Sequence, residues 1–123
     1  MAHLWEQYHL DSLRGQWDYI DPVLFGYAAG QVIESFIKWN IESDDNIVAH
    51  FHEWMTGAGV LYLKEKCPQI ATAFTTHATY LGRAISGNGL ALYNDLATFE
   101  PAAMANRFNI TSQQSMEYNA AQN

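Results

Sequence analysis

Cysteine is nearly missing from this 123-residue sequence, whose one thiol belongs to Cys67. A single cysteine excludes an internal disulfide and is typical of proteins in a reducing compartment. A secretory signal is missing as well, because the first residues, MAHLW, have neither a basic start nor a long apolar run. We therefore expect a cytoplasmic protein.

Positive charge is also scarce. Six Lys and Arg residues stand against 13 Asp and Glu residues, which gives a formal net charge of −7. Proteins that bind nucleic-acid phosphates or anionic membranes use clusters of Lys and Arg, so we expect direct binding to neither. A membrane span is not expected, because Glu34 and Lys38 interrupt the most apolar stretch.

Complete catalytic motifs are the third absence. Cys67 precedes Pro68 at a predicted helix start, but no base is identifiable beside it. The glycine-rich run Gly82–Gly89 lacks the Lys-Ser/Thr of a phosphate-binding loop and follows no predicted strand. The sequence therefore favours a protein that is not an enzyme and that binds no cofactor.

Apolar and aromatic residues are plentiful, at 49% and 14% of the chain. This composition argues against disorder, and 123 residues can bury a core without a disulfide or a metal. No repeat or linker divides the chain. We expect one domain over residues 1–123.

The stretch Asp21–Ile41 predicts the helix around which the others pack. Asp21 followed by Pro22 is typical of a helix start. Apolar residues then recur at helical spacing on nearly every side, which is typical of a buried helix. Gly26 and Gly30 lie four residues apart, so another backbone can approach closely there. We expect a central, buried helix over about 21–41.

Helical spacing recurs in the remaining segments. Apolar residues at this spacing predict helices over about 1–14, 45–66 and 68–86, and shorter ones over 101–108 and from residue 111. No segment is predicted to be a strand. The sequence thus predicts an all-α fold, a compact single-domain bundle of four to six helices around the central helix.

Three histidines are the residues best suited to chemistry, because imidazole binds metals and carries protons. On a strand, His50 and His52 would share a face and could chelate an ion; on the predicted helix they point about 160–200° apart. Glu53 would then face solvent. His77 falls at the centre of the apolar face of the 68–86 helix, where a neutral, hydrogen-bonded histidine is expected. The predicted helices thus separate the imidazoles, and no metal site is expected.

The aromatic excess and the acidic charge favour a protein–protein interaction module, acting as an assembly subunit or an inhibitor. Its anchors would be Trp5, Trp17 and Trp39, and Asp44 and Asp45 would steer a basic partner. A homo-oligomer would use the same features. Two alternatives stay open: a small helical metal-binding protein or enzyme that uses the three histidines, and an acidic mimic of nucleic acid.

Overall fold

The structure, a computed structural model, describes residues 2–10, 16–42 and 45–123. Within these residues the chain forms six α-helices and two β-strands. In chain order they are α1 (Ala2–Tyr8), α2 (Trp17–Asn40), β1 (Val48–His52), α3 (Gly57–Lys66), β2 (Ala71–Thr75), α4 (Tyr80–Gly87), α5 (Pro101–Arg107) and α6 (Thr111–Gln122). Two short 3₁₀ turns, Trp54–Thr56 and Leu96–Thr98, complete the regular structure.

The two strands pair in parallel, with Val48 opposite Ala71 and His52 opposite Thr75. Parallel strands need a long crossover, and α3 supplies it. Along β1 the exposed and buried side chains alternate, so that Ala49 and Phe51 face the core. This alternation is typical of a strand that has one buried face. The middle of the chain is therefore a β–α–β unit.

The predicted all-α bundle is wrong, because each of the predicted helices 45–66 and 68–86 begins with a strand. A short apolar run fits a strand as well as part of a helix, and spacing alone does not distinguish them. The runs VAHFH and ATAFT are five residues each. Each run forms a strand because it pairs with the other, and this pairing joins residues that are distant in sequence.

Helix α2 exists, but its predicted central position is wrong. It begins at Trp17 rather than at Asp21, with Pro22 inside it, and it buries only one side, formed by Tyr19, Val23, Gly26 and Gly30. Elsewhere on α2, Val32 is 68% exposed. The buried centre is α3 instead, where every residue from Gly57 to Leu63 is buried.

Helix α2 crosses the start of α3 at very close range. A Cβ atom on Gly26 would lie 3.1 Å from the backbone carbonyl of Thr56, and one on Gly30 would lie 2.8 Å from Cδ1 of Tyr62. On the α3 side, a Cβ on Gly59 would lie 2.7 Å from the carbonyl oxygen of Gly26. The predicted helix crossing at Gly26 and Gly30 is confirmed.

Two groups of buried side chains flank α3. The first joins α1, α2, α3 and α6 and consists of Leu4, Leu10, Tyr19, Val23, Trp54, Ala58, Leu61 and Met116. The second joins the strands to α3 and α6 and consists of Ala49, Phe51, Val60, Tyr62, Leu63, Cys67 and Ala120. Cys67 is 4% exposed and belongs to the core, and this burial raises the pKa of its thiol. In the part of the chain that the structure describes, no helix is long and apolar enough to cross a membrane.

The one-sided burial of α2 predicts opposite outcomes for the same substitution at two positions. Val23 is 1% exposed, so Val23→Ala should lower the free energy of unfolding by about 2 kcal/mol through lost burial and a residual cavity. Val32 is exposed, so Val32→Ala should change it by less than about 0.5 kcal/mol. Urea denaturation measures both, and an equal loss at Val32 would contradict the exposed face.

The contact between α2 and α3 also predicts a pH dependence. The Tyr62 hydroxyl donates a hydrogen bond to the Glu34 carboxylate. This bond is the largest cause, and burial the second, of the rise in the pKa of Tyr62 from 10.0 to about 12. Because the pKa of Tyr62 is raised in the folded state, its bond to Glu34 stabilises the fold below about pH 10. This stabilisation is lost as the pH rises towards 12.

Tyrosine absorbance during an alkaline titration should therefore show one phenol ionising late. In Glu34→Gln that phenol should ionise earlier, because the negative partner is gone. In Tyr62→Phe the late phase should disappear. If the ionisation at the highest pH is still seen in Tyr62→Phe, it belongs to another tyrosine.

Candidate functional site at the ends of the parallel strands

The imidazoles of His50 and His52 lie on the same, exposed face of β1. Alternate residues of a strand point to the same side, and the two ring centroids are 4.1 Å apart. His50 Nε2 lies 2.8 Å from the Thr75 hydroxyl on β2. The strand geometry thus brings together two rings that the predicted helix would have separated.

His77 joins them from the loop after β2. Its Nε2 lies 3.1 Å from Nδ1 of His52, and the two rings lie nearly parallel, with centroids 5.4 Å apart and planes 7° apart. Such a contact needs one nitrogen to donate a hydrogen and the other to accept it. We call His50, His52 and His77 the histidine cluster. The predictions that these imidazoles are separated, and that His77 is buried on a helix, are wrong.

Glu53 turns the chain at the end of β1. Its backbone has φ 65° and ψ 160°, a conformation that is essentially confined to glycine. The backbone N–H of Glu53 donates to the Thr75 carbonyl at 2.8 Å. The Glu53 carboxylate accepts a hydrogen bond from the backbone N–H of His77 at 3.1 Å. Glu53 therefore contacts the loop that carries His77 and does not simply face solvent as predicted.

The turn after β1 is held from the other side by Thr56. Its hydroxyl donates to the His52 carbonyl at 2.7 Å and to the Glu53 carbonyl at 3.2 Å. The Thr56 N–H also donates to the Glu53 carbonyl, at 3.1 Å. Strained backbone that neighbouring bonds maintain in this way is typical of functional sites.

The position in the fold also indicates a binding site. His52 is the last residue of β1, and His77 follows the last residue of β2 closely. In open parallel sheets, ligands bind in the crevice outside the carboxyl ends of the strands. The histidine cluster and Glu53 lie at this edge.

The cluster does not have the geometry of a metal centre. Within the described residues, no group of three or more His, Cys, Asp and Glu side chains could hold a metal ion. One nitrogen of each ring contacts Thr75 or another ring of the cluster. The Glu34 carboxylate lies elsewhere, where it accepts a bond from the Tyr62 hydroxyl. The metal-binding alternative thus has no support in this geometry.

The predicted partner-binding residues are not brought together. Trp5 lies on α1 and is 47% exposed, whereas Trp17 and Trp39, at opposite ends of α2, are 75% and 79% exposed. At 1.5 Å per residue, the two α2 tryptophans are about 30 Å apart. Asp45 accepts a bond from the Glu42 N–H at 3.2 Å, and Asp44 lies outside the described residues. Contact of these residues with a basic partner, or with a second copy, stays a prediction.

Sequence reasoning considered Glu53 together with His50 and His52 but predicted that it faces solvent, and it did not place Thr75 beside His50. The only available signal was the strand alternative for VAHFH, which would have placed His50 and His52 on one face. Glu53 directly follows that segment, so a strand would have placed its carboxylate at the same edge.

The strain at Glu53 predicts an unusual order of stability. Glu53→Gly and Glu53→Ala both lose the carboxylate, but only glycine relieves the backbone, so the Gly variant should be more stable by about 1 kcal/mol or more. At an ordinary helical position the order is reversed. Ser86 in α4 is the matched control: there the Ala variant should have a higher free energy of unfolding than the Gly variant. Chemical denaturation measures all four, and the usual order at residue 53 would contradict the strain.

Comparison with known proteins identifies the family. The whole chain, residues 1–123, matches the sequence model of a family described as glycogen synthase. A glycogen [starch] synthase of Caenorhabditis elegans is 37% identical over 102 residues, which cover 83% of this chain and 15% of that protein. Isoform 2 of Saccharomyces cerevisiae is 32% identical over 119 residues, covering 96% of this chain and 17% of that protein. The glycogen [starch] synthase of Dictyostelium discoideum is 38% identical over 76 residues, covering 62% and 8%.

The chain thus spans 17% or less of the length of these relatives. The relatives are enzymes by name, so the predicted non-enzymatic module, whether assembly subunit, inhibitor or nucleic-acid mimic, is wrong. Sequence reasoning found no catalytic motif because the candidate site is assembled from two strand ends and a loop. The match over residues 1–123 shows that this chain belongs to the glycogen synthase family.

Proposed function

We propose that this chain forms part of the sugar-binding site of a glycogen synthase, a glycosyltransferase. The observation that carries the proposal is the histidine cluster at the carboxyl ends of two parallel strands. The strained Glu53 beside it supports the same conclusion, because the backbone departs from ordinary geometry where a ligand would lie.

The chemistry of the cluster suits a ligand rich in hydroxyl groups. An imidazole nitrogen either donates or accepts a hydrogen bond, according to its tautomer, and a sugar hydroxyl does both. The contacts between the rings and with Thr75 occupy one nitrogen of each ring. As far as the described residues show, Nδ1 of His50, Nε2 of His52 and Nδ1 of His77 are left for a ligand.

Glycogen is a polymer of glucose, so its synthesis transfers a glucosyl unit from an activated donor to a hydroxyl of the growing chain. Such a reaction gains most from accurate placement of the sugar between donor and acceptor. We assign the histidine cluster this orienting role, through hydrogen bonds to hydroxyls of the transferred unit. Glu53 would hold His77 in position through its bond to the His77 N–H.

We also infer that the protein works in the cytoplasm. Cys67 is its single cysteine, and its thiol is free and buried in the core. A protein without disulfides is typical of a reducing compartment.

The proposal predicts a loss of glucosyl transfer without a loss of folding. In a complete glycogen synthase that contains this chain, His52→Ala and His77→Ala should each lower kcat/KM by about 10- to 100-fold, as expected for a lost hydrogen bond to the reacting sugar. Both side chains are exposed, so the free energy of unfolding of the 123-residue chain should change by less than about 0.5 kcal/mol.

His3→Ala is the matched control, because His3 is also exposed but bonds to Glu65, away from the strand ends. Its transfer rate should equal that of the unsubstituted enzyme. Incorporation of labelled glucose into glycogen gives the rates. Unchanged transfer in both cluster variants would exclude a role for the cluster in sugar binding.

A further inference from the structure

We propose that Glu117, on α6, is a positioning residue that holds the loop carrying His77 in place. The inference rests on the proposed function, because it concerns the same site. Glu117 does not reach the cluster itself, and its carboxylate acts through the backbone of residues 76–80, which we call the His77 loop.

The carboxylate of Glu117 binds both ends of the His77 loop. The N–H of Tyr80, the first residue of α4, donates to Oε2 at 2.9 Å and to Oε1 at 3.1 Å. The hydroxyl of Thr76, the first residue after β2, donates to Oε1 at 3.2 Å. His77 lies between these two attachment points. One rigid group thus sets the distance between the end of β2 and the start of α4.

Glu117 is buried among core side chains, which makes its presence unusual. It is 7% exposed, and its neighbours on α6 include the fully buried Met116 and Ala120. Charged side chains are almost never buried unless they are paired. Among the described residues, no Lys or Arg forms an ion pair with Glu117. The hydrogen bonds to the His77 loop are therefore the interactions that keep this carboxylate in the core.

Two acids hold the loop from different sides. Glu53 accepts the His77 N–H, and Glu117 accepts the Tyr80 N–H and the Thr76 hydroxyl. Burial raises the pKa of Glu117, and the charge of Glu53 raises it further; the bonds from Tyr80 and Thr76, and the more distant charge of Arg83, act in the opposite direction. The loop and both carboxylates thus form one connected unit around His77.

A role confined to capping α4 is the competing explanation, because Tyr80 is the first residue of that helix. Thr79 provides the matched control. Its hydroxyl accepts a bond from the Gly82 N–H at 3.0 Å and so caps the same helix, but it makes no bond that joins the two ends of the loop. A capping role predicts similar effects at Thr79 and Glu117, whereas a positioning role predicts different ones.

The test compares Glu117→Leu, Glu117→Gln and Thr79→Ala in a complete glycogen synthase that contains this chain. In Glu117→Leu, kcat for glucosyl transfer should fall by about 10-fold or more with KM for the glucosyl donor little changed, because the sugar still binds but is misplaced. Glu117→Gln keeps an acceptor oxygen and should restore kcat to within about 5-fold of the unsubstituted enzyme. Thr79→Ala should leave kcat within about 3-fold.

A spectroscopic measurement separates this inference from the proposed function. In the 123-residue chain, the NMR signals of the His77 ring and amide should shift in Glu117→Leu and stay in place in Thr79→Ala. If His52→Ala and His77→Ala both leave transfer unchanged, the sugar-binding proposal fails, but the shift of the His77 signals in Glu117→Leu still reports whether Glu117 positions the loop. If Glu117→Leu leaves the His77 signals in place, or if Thr79→Ala lowers kcat as much, the positioning role is excluded.

Thr76→Val keeps the test decisive if Glu117→Leu does not fold. It removes only the hydroxyl that donates to Glu117 and leaves the Tyr80 bond and the volume of the side chain nearly intact. We expect a smaller loss of kcat, about 3- to 10-fold, together with a shift of the His77 signals. Unchanged kcat and unchanged signals in Thr76→Val would overturn the proposal.

Discussion

The parallel pairing of β1 with β2 is the contact on which the rest of the structure depends. Parallel strands end at the same edge of a sheet, so the pairing places His52 beside the loop that begins after Thr75. It also requires a crossover that covers the sheet, which is why α3 lies in the middle of the molecule. Helix α3 starts with Gly57, and its Gly59 lets the backbone of α2 approach at Gly26.

The candidate site depends on the same pairing and on two acids that stabilise the connections after the strands. Glu53 takes a strained backbone conformation at the end of β1 and reaches the His77 N–H. Glu117 arrives from α6, far along the chain, and binds both ends of the His77 loop. A site of this kind has no contiguous sequence motif, because its parts come from β1, the loop after β2 and α6.

The exposed side of α2 shows the limit of hydrophobic patterns. Phe25, Phe36 and Trp39 are 64%, 57% and 79% exposed, although their spacing fits a buried helix. A pattern states which residues a helix is able to bury, and the neighbouring elements decide which of them are covered. This side of α2 is exposed in the structure, and the chain spans 17% or less of the length of the relatives compared above.

By itself the sequence determined local features: a long helix, predicted over about 21–41 and found over Trp17–Asn40, and a close helix crossing at Gly26 and Gly30. It also pointed to His50, His52 and His77 by their chemical type, although it predicted that they lie apart. These follow from spacing, side-chain size and chemical type, which are properties of the chain alone. Only the tertiary structure decided that VAHFH and ATAFT are strands, that the imidazoles converge, and that Glu53 and Glu117 both bond to the loop that carries His77. The physical reason is that a strand exists through hydrogen bonds to a distant segment, and the pairing of those two segments cannot be read from the spacing within either one.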